Sequence, residues 1–135
     1  MKYFYDATVR RIVDGDSVYL MVDLGWRQYH KASIRLHHVD TPEVRGGTEE
    51  SKRAGYMAKD RVSELLPVGS KCEIECKSLD KYGRGLAIIT NADGVNVGED
   101  LISKNLAVPY EGGNKEGVQE AHEKNFAALR ESGLL

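Results

Sequence analysis

The chain has 135 residues, with 19 Lys and Arg against 21 Asp and Glu and a formal net charge of −2. That length supports one domain with a core of its own, residues 1–135, and the apolar fraction of 41% fits a soluble globular class. A protein that coats nucleic acid through bulk electrostatics is normally clearly basic, so the balance argues against that class, but not against an enzyme gripping one phosphate with a few placed charges.

The first residues, Met1 to Arg11, contain no apolar signal-like run. Nothing later is long enough to span a bilayer, so the expected location is the cytoplasm, with no membrane partner. Tyr3 to Ile12 and Ser17 to Asp23 are β-prone runs separated by the turn signal Asp14-Gly15-Asp16. Leu24-Gly25-Trp26-Arg27 breaks the second run, and Tyr29 to Val39 resumes it, which predicts a meander of three antiparallel strands. After Pro42 the pattern changes. Arg45-Gly46-Gly47 reads as a loop and Thr48 as an N-cap. Ala54, Met57, Ala58, Val62, Leu65 and Leu66 then recur at three- and four-residue steps, an apolar helical stripe that Pro67-Val68-Gly69 ends. Strands are predicted at Lys71 to Ser78 and Gly85 to Thr90, followed by a turn at Asn91-Ala92-Asp93-Gly94. A short helix around Glu99 to Lys104 and a last helix from about Lys115 to Ser132 complete the chain, with Asn114 as cap and Gly133 as terminator.

Cys72 and Cys76 are the only cysteines. Four strand positions separate their Cα atoms by roughly 13 Å, beyond disulfide reach, so they read as buried free thiols on an inner face. Five short strands interrupted by one helix, with helices at the end, point to an α+β, mainly β fold. It is a five-stranded barrel of the OB type with three helices.

Three polar clusters lie at strand ends or turns: Asp14-Gly15-Asp16-Ser17, Arg35-Leu36-His37-His38-Val39-Asp40-Thr41-Pro42-Glu43, and Asp80-Lys81-Tyr82-Gly83-Arg84-Gly85. Each alone has a bland explanation, as an Asx-turn, a strand exit at a proline, or a solvated hairpin loop. Together they hold a chemistry. Asp16, Asp40 and Glu43 are hard oxygen donors of the kind that suits Ca²⁺ or Mg²⁺. Arg35 and Arg84 are planar forks that grip phosphate oxygens and stay charged at any working pH. Phosphodiester hydrolysis needs both, with a carboxylate to orient or activate water.

The strings Val13-Asp14-Gly15-Asp16-Ser17, Ile34-Arg35-Leu36 with Val39-Asp40-Thr41-Pro42-Glu43, and Asp80-Lys81-Tyr82-Gly83-Arg84-Gly85-Leu86-Ala87 resemble the signatures of the staphylococcal nuclease (thermonuclease) family, in its order and near its spacing. The resemblance runs from about Ile12 to about Tyr110. It implies an OB barrel with three helices and a Ca²⁺-dependent endonuclease that cuts DNA and RNA to leave 3′-phosphate ends, acting on single-stranded or breathing regions as a monomer. By motif position it implies Asp16 and Asp40 as calcium carboxylates, with Thr41 offering its backbone carbonyl. Arg35 and Arg84 would clamp the scissile phosphate, and Glu43 would position water or act as general base. Lys81 and Tyr82 match residues that contact a terminal phosphate and the adjoining nucleotide, and Tyr110 matches a tyrosine beside the base.

The chain also departs from the best-known member. Asp23 to His30 lengthens the hairpin between the second and third strands, and Ser17 stands where threonine is usual. His37 and His38 replace apolar residues, and as adjacent strand residues they are expected on opposite faces. The best-known member is basic and secreted, whereas this chain is slightly acidic and expected in the cytoplasm. The alternative function is an OB-fold binding module for nucleic acid or a protein ligand. Such a module should have lost some of the five polar groups and should carry a wide basic, aromatic surface. Here all five groups are present and the charge is slightly acidic, which favours the nuclease.

Overall fold

The structure, a computed structural model, describes residues 2–110 and 116–135. Strands β1 (Tyr3–Asp14), β2 (Ser17–Gly25) and β3 (Gln28–Leu36) form the expected meander. Alternation decides which way they face. Ala7 and Val9, then Val18, Leu20 and Val22, then Ile34 and Leu36 turn inward and are buried. Two further strands, β5 (Lys71–Leu79) and β6 (Gly85–Asn91), contribute Cys72, Ile74, Ala87 and Ile89 to the same core, behind the two-residue β4 (Val39–Asp40). The barrel closes in the order β1-β2-β3-β6-β5, with β3 and β6 parallel and the other pairs antiparallel. This is the OB-type barrel expected from the strand count.

Helix α1 (Glu49–Leu65) starts where Thr48 accepts the Ser51 N–H at 3.0 Å, and it packs Ala54, Gly55, Ala58 and Val62 inward. Two glycines set how closely the site loops approach it. A Cβ on Gly55 would stand 2.7 Å from the Pro42 carbonyl oxygen, and one on Gly15 would stand 2.8 Å from the Ala58 Cβ. The two loops that carry acidic residues therefore rest directly on one helix. Helix α2 (Val97–Ser103) begins two residues earlier than its apolar pattern suggests, because the Asn96 side chain accepts the Glu99 N–H. The two-residue β7 (Val108–Pro109) pairs with β4, and α3 (Glu116–Glu131) ends at Gly133, whose φ is +79°. The expected Asn114 cap lies outside the described residues.

Two local expectations are corrected. The third strand does not run unbroken to Val39. It stops at Leu36, and His37 and His38 form a turn, with His38 at φ +66° and the rings edge-on at 3.5 Å between centroids. The opposite-face expectation for the pair therefore fails, since the strand periodicity it rests on is absent there. The two thiols also differ. Cys72 is buried, and desolvation together with the nearby Asp6 charge pushes its thiol up to about 11, whereas Cys76 is only half-buried beside a bulge in β5. Neither forms a disulfide. No described helix is long and apolar enough to cross a membrane.

Candidate active site

Strand pairing brings the three clusters together. Ser17 opens β2 directly across from Arg35 near the end of β3, and Arg35 in turn pairs with Leu86 near the start of β6. The Leu36 N–H donates to the Asp16 carbonyl at 2.8 Å, fixing the Asp16 turn over the end of β3. Asp16, Arg35, Asp40 and Arg84 thus arrive at one end of the barrel from separate elements.

The side chains then bind one another. Arg35 Nη2 donates to Asp40 Oδ1 at 3.0 Å and to Asp16 Oδ2 at 3.3 Å, so two carboxylates converge on a single nitrogen. All three side chains are at most 15% exposed, which places this charge cluster in a region of reduced screening. The Thr41 N–H donates to the same Asp16 oxygen at 3.3 Å, and the Ser17 hydroxyl donates to the other at 3.2 Å. Arg84 joins through Ser17, its Nη1 lying 3.4 Å from the hydroxyl oxygen. On its other edge Arg84 Nε donates to Asp80 Oδ2 at 2.7 Å. Asp80 also accepts the N–H groups of Tyr82 and Arg84, both at 2.9 Å. Partial burial raises the Asp80 carboxyl, but those N–H groups and the Arg84 guanidinium outweigh it and hold the group below the usual aspartate value. The loop that presents Arg84 is therefore latched by its own first residue.

Each arginine also has a tyrosine beside it. The Arg35 guanidinium lies 5.8 Å from the Tyr110 ring centre, and that of Arg84 lies 5.8 Å from the Tyr82 ring centre. Tyr110 reaches its place because β7 pairs with β4 and the Tyr110 N–H donates to the His38 carbonyl at 2.8 Å. Lys81 and Tyr82 are exposed on the same loop, with the Lys81 Nζ 5.2 Å from the Tyr82 ring centre. Glu43 stands apart from the arginine cluster. It is exposed and lines a cavity of about 290 Å³ together with Asp40, Thr48, His122, Glu123 and Phe126.

His122 is a site residue that the sequence did not reveal. Its Nε2 lies 2.8 Å from Asp40 Oδ2 in a buried contact, and its Nδ1 has no hydrogen-bond partner among the described residues. The tautomer with the proton on Nε2 satisfies Asp40 and leaves only a bare lone pair on Nδ1, the cheaper of the two groups to bury. Both Asp40 oxygens are thereby held, one by β3 and one by α3. No spacing rule flags a lone histidine 82 positions downstream, and its only local signal is an inward helical position.

As a cation site, the donor chemistry fits. The Asp16 and Asp40 carboxylates, both hard oxygen donors, converge on Arg35 Nη2, and the Thr41 N–H donates to Asp16 beside them. Among the described residues no group of three His, Cys, Asp or Glu side chains is arranged to hold a metal, so any cation here would rely on carbonyl oxygen and water for the rest of its shell.

A family model described as staphylococcal nuclease homologue matches residues 33–132. That span includes Arg35, Asp40, Thr41, Glu43, Arg84 and His122, and Asp16 precedes it. The chain is also 30% identical over 113 residues to the endonuclease YhcR of Bacillus subtilis (strain 168), a match covering 78% of this chain and 9% of that protein. The chain therefore spans about 9% of the length of this curated relative.

Proposed function

This chain belongs to the staphylococcal nuclease homologue family, and on that premise we propose that it is an endonuclease hydrolysing DNA and RNA, with Ca²⁺ as cofactor and 3′-phosphate ends as product. The observation that carries the reading is the continuous polar chain from Arg84 through Ser17, Asp16 and Arg35 to Asp40 and His122. It puts two guanidinium groups and two carboxylates at one barrel end, the charge pattern that a phosphodiester and a cation need together.

In this reading Asp16 and Asp40, with the Thr41 carbonyl, would hold the cation, and His122 fixes the Asp40 carboxylate from its other side. Bound Ca²⁺ supplies charge neutralisation at the phosphoryl oxygens and a template for the attacking water. Arg35 and Arg84 bind the non-bridging oxygens of the scissile phosphate, and their contacts strengthen as negative charge builds there. Arg84 retains donors beyond the one that holds Asp80, so the latch does not prevent phosphate binding. Glu43, exposed on the cavity that Asp40 also lines, accepts a proton from water or positions it for attack on phosphorus. The bond from phosphorus to the 5′-oxygen breaks, leaving a 3′-phosphate and a 5′-hydroxyl. Lys81 and Tyr82 contact the neighbouring phosphate and nucleotide, and Tyr110 packs beside a base. Single-stranded regions are the preferred substrate, because only unpaired bases can meet those tyrosines.

The test is incubation of the purified protein with end-labelled single-stranded DNA, with Ca²⁺ or with excess chelator, followed by end-group analysis. Cleavage only with Ca²⁺, giving 3′-phosphate ends, is the expected result. Full activity in chelator would remove the cation, and tight binding without cleavage would replace the nuclease with an OB-fold binding module.

A further inference from the structure

The far end of the β2–β3 hairpin carries residues that no part of the site uses. The ladder that pairs Ser17 with Arg35 ends where Gly25 pairs with Gln28, leaving Trp26 and Arg27 as a two-residue turn. Both have positive φ, 55° for Trp26 and 61° for Arg27. Two-residue hairpin turns with two positive φ values favour Asn-Gly or Asp-Gly, because most side chains are strained there. A bulky aromatic and an arginine occupy the positions instead. The turn is nonetheless firmly built, with the Gly25 N–H donating to the Asp23 carboxylate at 2.8 Å. Trp26 is 97% exposed, with Leu24 and Tyr29 also exposed beside it. Strain tolerated in order to display a tryptophan to solvent marks side chains kept for contact rather than for folding.

The charge of this segment selects the partner. From Leu24 to Lys31 it holds Arg27, Lys31 and His30, and the adjoining Asp23 carboxylate accepts the Gly25 N–H, in a chain whose net charge is −2. Aromatic faces among cations are what an unpaired nucleic-acid strand needs, stacking for bases and positive charge for phosphates. Tyr29 also lines a neighbouring cavity of about 500 Å³, where Asp6, Asp23 and Glu73 outnumber Lys71 and disfavour phosphate, so the strand's path is placed over Trp26 and Arg27.

We propose that the β2–β3 hairpin tip is a second contact for single-stranded nucleic acid, with Trp26 stacking on a base and Arg27 and Lys31 meeting phosphates. The inference rests on the nucleic-acid reading above. Eight residue steps along β2 separate the tip from Ser17, roughly 26 Å, so the contact engages long strands and not the nucleotides at the scissile bond. The hairpin therefore acts on affinity for length.

Trp26 is the only tryptophan in the chain, so its fluorescence reports this tip alone. With chelator present to prevent cleavage, the protein is titrated with a labelled oligothymidylate of about 16 nucleotides, the upper site size of one OB fold, and with a dinucleotide. Anisotropy of the label follows binding while Trp26 emission is recorded. The long strand is expected to quench Trp26 and the dinucleotide is not. Trp26→Ala should weaken binding of the long strand about five-fold, the equivalent of about 1 kcal/mol of stacking, and Trp26→Phe should retain most of it. Arg27→Ala should lower the salt dependence of binding by about one counterion. Unchanged emission at saturating strand, equal affinity in Trp26→Ala, or no binding at all would overturn the proposal. Cleavage in Ca²⁺ without quenching would leave the nuclease standing and remove the hairpin, whereas quenching without cleavage would do the reverse.

Discussion

The β2–β3 hairpin has two ends, and they solve opposite problems. At one end Ser17 faces Arg35 among buried charges, and both Asp16 oxygens are held by other side chains or an N–H group. At the other end Trp26 and Arg27 sit in an open turn, where the backbone is strained and the side chains meet solvent. The first end is ordered by mutual contact, so each group's position depends on its neighbours. The second is ordered by the ladder and the Asp23 carboxylate that accepts the Gly25 N–H, so Trp26 and Arg27 can change with little effect elsewhere. In one hairpin, the same hydrogen-bonded strands supply rigidity to a polar cluster and reach to an exposed aromatic.

Perturbations should therefore be large at the first end and small at the second. Arg84→Ala should lower kcat by about 10²-fold or more with a smaller change in KM, because a transition-state contact is lost. Steady-state kinetics on single-stranded DNA measure this, and an unchanged kcat would remove the phosphate-clamp role. His122→Phe keeps an apolar ring against Phe126 but leaves Asp40 Oδ2 without that partner, and should cost about ten-fold in Ca²⁺ affinity by calorimetry. His122→Gln, which retains an N–H donor, should recover part of the loss. Equal Ca²⁺ affinity in all three proteins would show that α3 does not position Asp40.

Two smaller effects concern stability. The Asp80 carboxyl is held below its ordinary value in the folded state, so its contribution is present above the unfolded pKa near 4 and is lost as pH falls through the lower folded value. Asp80→Asn should therefore lower Tm by a few degrees at pH 5 to 8, and the gap to wild type should close below about pH 4. Thermal scans across pH check it, and a gap that widens in acid would contradict the sign. At the far end, replacing Trp26-Arg27 by Asn-Gly should raise Tm by about 4 °C, since left-handed backbone strain of about 1 kcal/mol or more is relieved. A lower Tm would mean that the tip contributes packing that its exposure does not suggest.

The barrel and most of the cluster were legible in the sequence for a physical reason. Alternating apolar residues specify strands and their inward faces, and Asp16, Arg35 and Arg84 lie at or beside strand ends, where any closed barrel collects them. Asp40 and Glu43 were singled out as hard oxygen donors, and Thr41 was named through the family resemblance alone. The Asn96 cap was missed because polar capping residues look like ordinary loop. The turn at His37 and His38 was missed because the apolar Ile34, Leu36 and Val39 around it read as one continuous strand, whereas β4 pairs instead with β7, seventy residues away.

The sequence by itself therefore determined the fold class, the inner faces of the strands and the chemical types gathered at one barrel end. Periodicity and strand-end motifs are local, and local patterns survive without knowledge of neighbours. Only the tertiary structure decided that Arg35 joins Asp16 to Asp40, that Asp80 latches Arg84, and that His122 of α3 holds Asp40 from behind. It also decided that Trp26 stands in strained backbone at the end of a ladder and not in a loose loop. Side-chain hydrogen bonds depend on distances of a few tenths of an ångström between distant segments, and such distances exist only once the core has packed.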